Sequence, residues 1–324
     1  MKNFKGKAIY NPSGKAGEYS YWACNFYNGC SNGCTYCYLK KGVLAHTLGG
    51  DKPTLKKCFK DEAHALEIFE KELKVNLMKL QEYGLFFTFT SDPFLPETIT
   101  LTVKAMIKCL SNNVPVKTLT KKTDWVEYFL QDEEINKKNL CKKLFAFGFT
   151  LTGHDELEPN ASTNAERIEA MRKLHEAGFK TWASIEPVID FESSLQMIEE
   201  TKDFCSHYKI GLKSGKKYNF EELNYFVSNV VFTFSKPNDF QKNPMKQIFS
   251  PYGKWDFFNK IYFKDSLLKQ AGLNRSILPD NCVKRDWSIF GLKYLLEVYR
   301  RWKDCGSDSA MTNDSTSLTD RDKE

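Results

Sequence analysis

Hydrophobic residues recur along this chain with two alternating periods. From residue 63 to residue 82, leucine and phenylalanine recur at steps of three and four, the spacing of one helical face. The next segment, 85–90, reads Leu-Phe-Phe-Thr-Phe-Thr, which predicts a buried strand. Strands are predicted at 19–24, 85–90, 114–119, 144–151, 180–185 and 207–212, and helices at 63–82, 97–110, 124–130, 164–176 and 192–204.

Strands that alternate with helical segments predict an α/β fold with a parallel sheet and crossover helices. The carboxyl ends of parallel strands meet at one edge of such a sheet, where functional groups gather. Polar or special residues follow the predicted strands, among them Ser91-Asp92, Thr120-Lys121, Thr150, Glu186-Pro187 and Lys213. The pattern therefore predicts a functional site along this edge.

The segments on either side of this pattern differ from it. Residues 1–18, which contain Pro12, Gly14 and Gly17, predict an irregular lead-in to a main domain at 19–234. A further strand is predicted at 230–234, a loop at 235–256, and helices at 257–270 and 287–302. These predict a mainly helical C-terminal extension over 235–303, followed by a disordered tail at 304–324 that lacks aromatic residues.

Three cysteines, Cys30, Cys34 and Cys37, form a CxxxCxxC pattern just after the aromatic run at 19–22. Three thiolates this close can converge on one soft metal centre, and Gly29 and Gly33 relieve the crowding that such wrapping creates. An iron–sulfur cube held by three thiolates leaves its fourth iron open for chemistry. The pattern therefore predicts a reactive cluster at this loop.

A structural zinc site is the alternative interpretation of these cysteines. Structural zinc normally takes four protein ligands, and the nearest candidates for the fourth are Cys24, His46 and Cys58. None of the three lies in a paired CxxC or HxxxH arrangement. The spacing therefore favours the cluster over zinc.

Composition bounds the class of protein. The 324 residues are 41% hydrophobic and 27% charged, which is typical of a globular chain. No segment is long enough to span a bilayer, the first residues lack the apolar run of a signal peptide, and seven further cysteines are scattered. We therefore expect a cytoplasmic protein with free thiols and no membrane partner. The net charge is +6, and about +9 without the acidic tail, which permits a polyanionic partner without establishing one.

The CxxxCxxC spacing, with Tyr36 directly before the third cysteine, resembles the signature of the radical SAM superfamily. The resemblance implies a partial (β/α)6 barrel and a [4Fe-4S] cluster held by Cys30, Cys34 and Cys37, with S-adenosylmethionine (SAM) on the free iron. It also implies reductive cleavage of SAM to a 5'-deoxyadenosyl radical, with electrons from a donor such as flavodoxin or ferredoxin. In such enzymes the protein positions and shields, and the cofactors supply the radical chemistry.

Within the superfamily, the local motifs are most similar to the spore photoproduct lyase branch, loosely over residues 19–212. The resemblance implies that residues after successive strands contact SAM: Tyr36, Tyr38, Ser91, Asp92, Lys121 (or its neighbour Lys122), Thr150 and Glu186. By contrast, Glu166, Arg167 and Arg172 are predicted to form surface ion pairs.

One position departs from the branch. The lyases carry a cysteine two positions before the Ser-Asp pair, where it returns a hydrogen atom to the repaired thymine, and this chain has Phe89 there. Repair of spore photoproduct itself is therefore not expected. Tyr38, taken as the catalytic residue, or Cys24 would have to replace that cysteine from another position.

We therefore predict a radical SAM enzyme with nucleic acid as the leading substrate class, for repair or modification. One alternative is the same machinery acting on a peptide or small metabolite. The other is a non-enzymatic binding protein in which zinc serves only the fold.

Overall fold

The computed structural model describes residues 3–42, 45–132, 142–234, 260–278 and 282. Within them, eight strands form one sheet in the order β1-β2-β5-β6-β7-β8-β9-β10, and β3 pairs with β4 separately. The strands are β1 (Ile9–Tyr10), β2 (Ala23–Cys24), β3 (Tyr27–Asn28), β4 (Thr54–Leu55), β5 (Leu85–Phe87), β6 (Val116–Thr120), β7 (Phe145–Thr150), β8 (Lys180–Val188), β9 (His207–Leu212) and β10 (Ile261–Phe263).

Helices connect these strands and cover one face of the large sheet. They are α1 (Gly14–Gly17), α2 (Ala45–Leu48), α3 (Glu62–Val75), α4 (Leu77–Tyr83), α5 (Ile99–Ser111), α6 (Val126–Gln131), α7 (Asn164–Glu176), α8 (Phe191–Thr201), α9 (Phe220–Thr233) and α10 (Asp265–Gln270). Within the large sheet, every neighbouring pair from β2 to β10 in the sheet order is parallel, and β1 runs antiparallel to β2; the separate pair of β3 and β4 is antiparallel. The predicted α/β fold with a mostly parallel sheet is confirmed.

The two faces of the sheet have different residues because side chains alternate along each strand. On β7, Phe145, Phe147 and Phe149 pack in the large cluster beneath the helices. The alternate residues Ala146 and Gly148 face the other way, and Ala146 joins a small cluster of buried aromatic residues. The sheet therefore has a helix-covered outer face and a separate inner face.

The inner face curves around one side chain, Tyr19. Its ring lies 6.1 Å from the ring of Phe86 on β5 and 6.1 Å from that of Trp182 on β8. The same ring lies 4.7 Å below the ammonium of Lys264, which follows β10. The third and sixth strands in the sheet order and a residue that follows the last strand thus all meet Tyr19, so the sheet is rolled into a partial barrel with Tyr19 inside it.

Four predicted elements differ from the structure. The helix at 63–82 is divided at Asn76 into α3 and α4, and the first strand covers only Ala23–Cys24 of the predicted 19–24. Residues 230–234 belong to the end of α9 and its cap, so the strand prediction there is wrong. Over 257–270, the structure has β10 and then α10, because Ile261–Phe263 pair with β9. The predicted helix at 287–302, the tail at 304–324 and the loop at 235–256 lie outside the described residues.

No helix in the described segments is long and apolar enough to cross a membrane.

Candidate active site

The cysteine loop, residues 25–37, follows β2 at the edge of the sheet where the parallel strands end. Cys30, Cys34 and Cys37 all line one open cavity of about 250 Å3, counting the solvent at its mouth. Gly29 has a φ of 88°, and a Cβ there would lie 2.4 Å from a backbone oxygen. Glycine at this position allows the close approach by which the Cys30 amide donates to Gly50, at 3.0 Å.

Burial makes two thiols of this loop, those of Cys30 and Cys34, weak acids. It raises the pKa of Cys30 to about 12, with the charge of Asp92 adding to the effect, and it also raises the pKa of Cys34. A bound cation would favour the thiolates, because opposite charge offsets the cost of burying an anion. Loading this loop with metal should therefore release protons.

The zinc alternative requires a fourth protein ligand near the three thiols. Among the described residues, no group of three or more His, Cys, Asp or Glu side chains is arranged to hold a metal ion. Of the candidate fourth ligands, Cys24 is buried under the helices and Cys58 is exposed. The zinc site and the cluster both remain predictions.

Asp92 ties the cysteine loop to the ends of two strands. One carboxylate oxygen accepts from the Thr120 hydroxyl at 2.6 Å and the Phe94 amide at 3.0 Å. The other accepts from the Lys121 amide and the Asn32 side chain, each at 2.9 Å. Both oxygens of this buried carboxylate are thus occupied by protein donors. The contact with SAM stays a prediction, and the structure gives Asp92 a positioning task.

Two buried polar atoms beside this loop have no hydrogen-bond partner among the described residues. They are the hydroxyl oxygen of Ser91 and the amide oxygen of Asn32. Buried polar atoms are normally paired, and unpaired ones call for a bound group or water. Three thiols on one cavity, with these two atoms beside them, fit a ligand group larger than a single ion.

Lys121 follows β6 and lies on the side of the cysteine loop. Its ammonium is 5.7 Å from the centre of the Tyr36 ring and 3.9 Å from a carboxylate oxygen of Glu158. Burial alone would lower the pKa of Lys121, but its acidic neighbours Cys34 and Glu158 raise it above its ordinary value, so the ammonium stays charged. Lys122 instead pairs with Asp124 at 3.5 Å. Of the two neighbouring lysines, Lys121 is therefore the one near the loop.

Glu158 and Arg167 form a fully buried ion pair that the sequence did not reveal. The Glu158 carboxylate accepts from Arg167 and from the hydroxyl of Tyr36, and both charged side chains are 0% exposed. Arg167 also donates to the carbonyl of Thr150 at 2.6 Å and to that of Ser162 at 2.8 Å. The prediction that Arg167 forms a surface pair is wrong, because the guanidinium lies under the end of β7.

A signal for Arg167 was present in the sequence. The buried positions of α7 include Arg167, Ala170, Met171 and Leu174, which are spaced three, four and seven apart. Arg167 thus lies on the apolar face of its helix, where a charged residue needs a buried partner. No pattern in the sequence identifies Glu158 as that partner, because it comes from the preceding loop.

The loop between β7 and α7, residues 151–163, clamps the cysteine loop. The Thr35 amide donates to the Leu157 carbonyl at 2.9 Å. Asn160 donates to the Asn32 carbonyl from its backbone at 3.2 Å and to the Ser31 carbonyl from its side chain at 3.0 Å. The middle of the CxxxCxxC segment is therefore held by a loop more than 120 residues farther along the chain.

His154 fastens the start of this clamp to α8. Its Nε2 contacts Asp190, the N-cap residue of α8, and lies 3.1 Å from the hydroxyl of Ser193. Its Nδ1 lies 2.8 Å from Glu156. Burial disfavours the charged ring, but the hydrogen bonds with the two carboxylates raise the pKa of His154 above 6.5.

Glu186 lies inside the barrel, where Lys264 and Tyr19 contact it. Both of its carboxylate oxygens contact the Lys264 ammonium, at 2.9 and 3.0 Å, and one accepts from the Tyr19 hydroxyl. The Tyr19 hydroxyl also lies 2.9 Å from the hydroxyl of Ser184. Burial and the charge of Glu186 raise the pKa of Tyr19 well above 10. A SAM contact by Glu186 stays a prediction, since the protein already pairs this carboxylate.

Tyr38 and Phe89 meet at the mouth of the barrel. The hydroxyl of Tyr38 donates to the carbonyl of Phe89, although most of the Tyr38 side chain is exposed. The Phe89 ring stacks on Phe86, with 4.4 Å between ring centres. Cys24 is fully buried in the core beneath the helices, on the other face of the sheet. Cys24 therefore cannot take the place of a cysteine at position 89, whereas Tyr38 is adjacent to it.

Comparisons with known proteins identify the family. The family model for spore photoproduct lyase matches residues 7–226, about two thirds of the chain. An uncharacterized protein of Methanocaldococcus jannaschii is 26% identical over 234 residues, which cover 68% of this chain and 82% of that protein.

Two solved structures are similar to parts of the chain. Spore photoproduct lyase complexed with dinucleoside spore photoproduct is 19% identical, with a TM-score of 0.45, and the match covers 64% of this chain and 58% of that one. SuiB of Streptococcus suis bound to S-adenosylmethionine is 12% identical, with a TM-score of 0.44, covering 65% and 47%. The chain thus spans about half the length of these two proteins. By the extent of the family match, the chain belongs to the spore photoproduct lyase family, within the radical SAM superfamily of enzymes.

Proposed function

We propose that this protein cleaves SAM reductively, using a [4Fe-4S] cluster held by Cys30, Cys34 and Cys37. The observation that carries the proposal is the meeting of three thiols on one cavity, beside the charged Lys121 ammonium and the unpaired Ser91 hydroxyl. When bound, the cluster supplies one electron that cleaves SAM to methionine and a 5'-deoxyadenosyl radical. A donor such as flavodoxin or ferredoxin would deliver that electron.

Residues of this chain would bind and orient SAM. Lys121, charged and only partly exposed, would pair with the methionyl carboxylate, since an ammonium and a carboxylate form a strong charge-assisted hydrogen bond. Ser91 would give its unpaired hydroxyl to the cofactor. Thr150, which ends β7, and Tyr36 would line the same pocket.

The substrate would enter at the mouth of the barrel, where Tyr38 and Phe89 lie. Phenylalanine at position 89 has no hydrogen atom that a product radical can readily remove, so we propose Tyr38 as the catalytic residue there. Nucleic acid is the proposed substrate class, on the strength of the family and the positive charge of the chain. A peptide or small metabolite is the second candidate, because a fold of this kind supports many chemistries.

The first experiment is anaerobic reconstitution with iron and sulfide, reduction with dithionite, and addition of SAM. We expect 5'-deoxyadenosine by chromatography, together with the electron paramagnetic resonance signal of a reduced cluster. Cys34→Ala should abolish both, whereas Cys58→Ala, which removes an exposed thiol outside the motif, should leave both unchanged. Stoichiometric zinc with no deoxyadenosine would refute the proposal and favour a purely structural metal.

The substrate class is tested by titrating DNA and RNA over a salt series. Binding that weakens steeply as salt rises would support a nucleic acid, because counterions are released when lysines meet phosphates. No measurable binding at low salt would favour the peptide or metabolite alternative.

A further inference from the structure

Glu158 has no assigned role, yet it touches two residues of the proposed SAM site. The Tyr36 hydroxyl donates to its carboxylate, and the Lys121 ammonium lies 3.9 Å from the same oxygen. Its other oxygen accepts from Arg167, which is itself 0% exposed. We propose that Glu158, held by Arg167, is the positioning residue that fixes Tyr36 and Lys121 for binding SAM. This inference rests on the proposed function.

The carboxylate is held rigidly by its own partners. Arg167 uses three nitrogens, one for Glu158 and two for the carbonyls of Ser162 and Thr150. Those carbonyls belong to the clamp loop and to the last residue of β7. A planar guanidinium bound at several points has little freedom, so Glu158 has a fixed position relative to the sheet.

Glu158 also constrains the chain between two predicted cluster ligands, Cys34 and Cys37. Tyr36 lies between Cys34 and Cys37, and its ring lies 5.7 Å from the Lys121 ammonium. One carboxylate thus limits the motion of both side chains, and fixed side chains lose less entropy when a ligand binds. The clamp holds the same turn through the hydrogen bond between the Thr35 amide and the Leu157 carbonyl.

An electrostatic role and a positioning role of Glu158 predict opposite changes in ligand affinity when its charge is removed. Lys121 and Arg167 together carry two positive charges against the one negative charge of Glu158. If charge alone mattered, Glu158→Gln would strengthen the binding of a carboxylate ligand, because a nearby anion disappears. If Glu158 acts by positioning, the same variant weakens binding.

The test is the affinity of cluster-loaded, unreduced enzyme for SAM, measured by calorimetry so that no turnover is needed. We expect Glu158→Gln to raise the dissociation constant for SAM on the order of tenfold, as is usual when a residue that orients the binding side chains is replaced. Glu156→Gln is the matched control, because Glu156 is an exposed neighbour in the same loop, and should leave the affinity unchanged. An unchanged or tighter Glu158→Gln variant overturns the inference.

A double-mutant cycle separates positioning from a general loss of folding. In a Tyr36→Phe background the hydroxyl contact to Glu158 is already absent, so adding Glu158→Gln should change the affinity less than threefold. An equal loss in both backgrounds overturns the inference. If Glu158→Gln does not fold by circular dichroism, Tyr36→Phe alone decides: a loss of about tenfold supports the inference, and an unchanged affinity overturns it.

The two proposals fail differently. A wild-type protein that carries its cluster and binds no SAM overturns the proposed function and the inference with it. Wild-type binding with an unchanged Glu158→Gln variant overturns the inference alone.

Discussion

Asp92 offers a quantitative test of how the candidate site is held together. Truncation to alanine removes the acceptor of four hydrogen bonds, two from backbone amides and two from side chains. At about 1 kcal/mol for each bond, the free energy of unfolding should fall by about 4 kcal/mol. The carboxylate is buried, so water replaces it poorly.

Asp92→Asn should lower the free energy of unfolding less than Asp92→Ala, because most of the hydrogen bonds can still form. The amide group replaces one oxygen, and the backbone amide of either Phe94 or Lys121 then faces a donor. The side-chain partner on that oxygen can adapt, because the hydroxyl of Thr120 can turn and the unpaired oxygen of Asn32 can accept. One lost backbone bond predicts a fall of about 1–2 kcal/mol.

Urea unfolding followed by tryptophan fluorescence measures this series. Trp125 stacks on Phe94, with 4.1 Å between ring centres, so the signal reports on the same region. Asp124→Ala is the control, because Asp124 is 75% exposed and should cost under about 0.5 kcal/mol. The slope of the unfolding free energy against urea concentration should be the same for all variants, so that the urea midpoints of unfolding compare their stabilities directly. Equal losses for Asp92→Asn and Asp92→Ala, or a loss below about 1 kcal/mol for alanine, would refute the hydrogen-bond reasoning.

Three further predictions concern ion pairs. Arg167→Met leaves a buried carboxylate without its charged partner and should lower the free energy of unfolding in urea by about 3–5 kcal/mol. Arg172→Met, at a half-exposed position, should lower it little. Equal losses for the two variants would contradict the burial of the Arg167 pair. Lys264→Met should lower the free energy of unfolding by a similar amount, because it removes the partner of Glu186 inside the barrel. The exposed Lys269→Met should have little effect. An unchanged free energy of unfolding for Lys264→Met would contradict the role of residues after β10 in completing the barrel. The raised pKa of His154 means that its ion pairs contribute fully below about pH 6.5 and are lost as pH rises through the folded pKa. The stability gap between wild type and His154→Gln should therefore shrink from pH 6 to pH 9, and a constant gap would exclude this linkage.

Local patterns in the sequence were sufficient for the α/β fold and for the cysteine loop. Helical periodicity located α5, α7 and α8 to within a few residues, and it combined α3 and α4 into one helix, because each of these segments buries an apolar face. The CxxxCxxC spacing and its two glycines were visible because their chemistry is local. The positive φ of Gly29 and of Gly33 agrees with the crowding inferred there.

Short strands and mixed segments were less predictable. β2 has two residues and β10 has three, so neither is long enough to show a repeated alternation of its own. Each exists because a neighbouring strand supplies its hydrogen bonds, β5 for one and β9 for the other. Pairing across the sheet, rather than local preference, decided these elements.

The sequence by itself determined which residue types follow the carboxyl ends of the strands, since parallel pairing follows from the alternation of strands and helices. Only the tertiary structure decided their partners. Glu158 meets Tyr36 across 122 residues and Arg167 across 9, and Lys264 reaches Glu186 across 78. The physical reason is that buried charges must be paired, and the partner can come from any segment that the fold brings within a few ångströms. Spacing along the chain holds no information about such pairs, whereas three cysteines within eight residues can be recognised from the sequence alone.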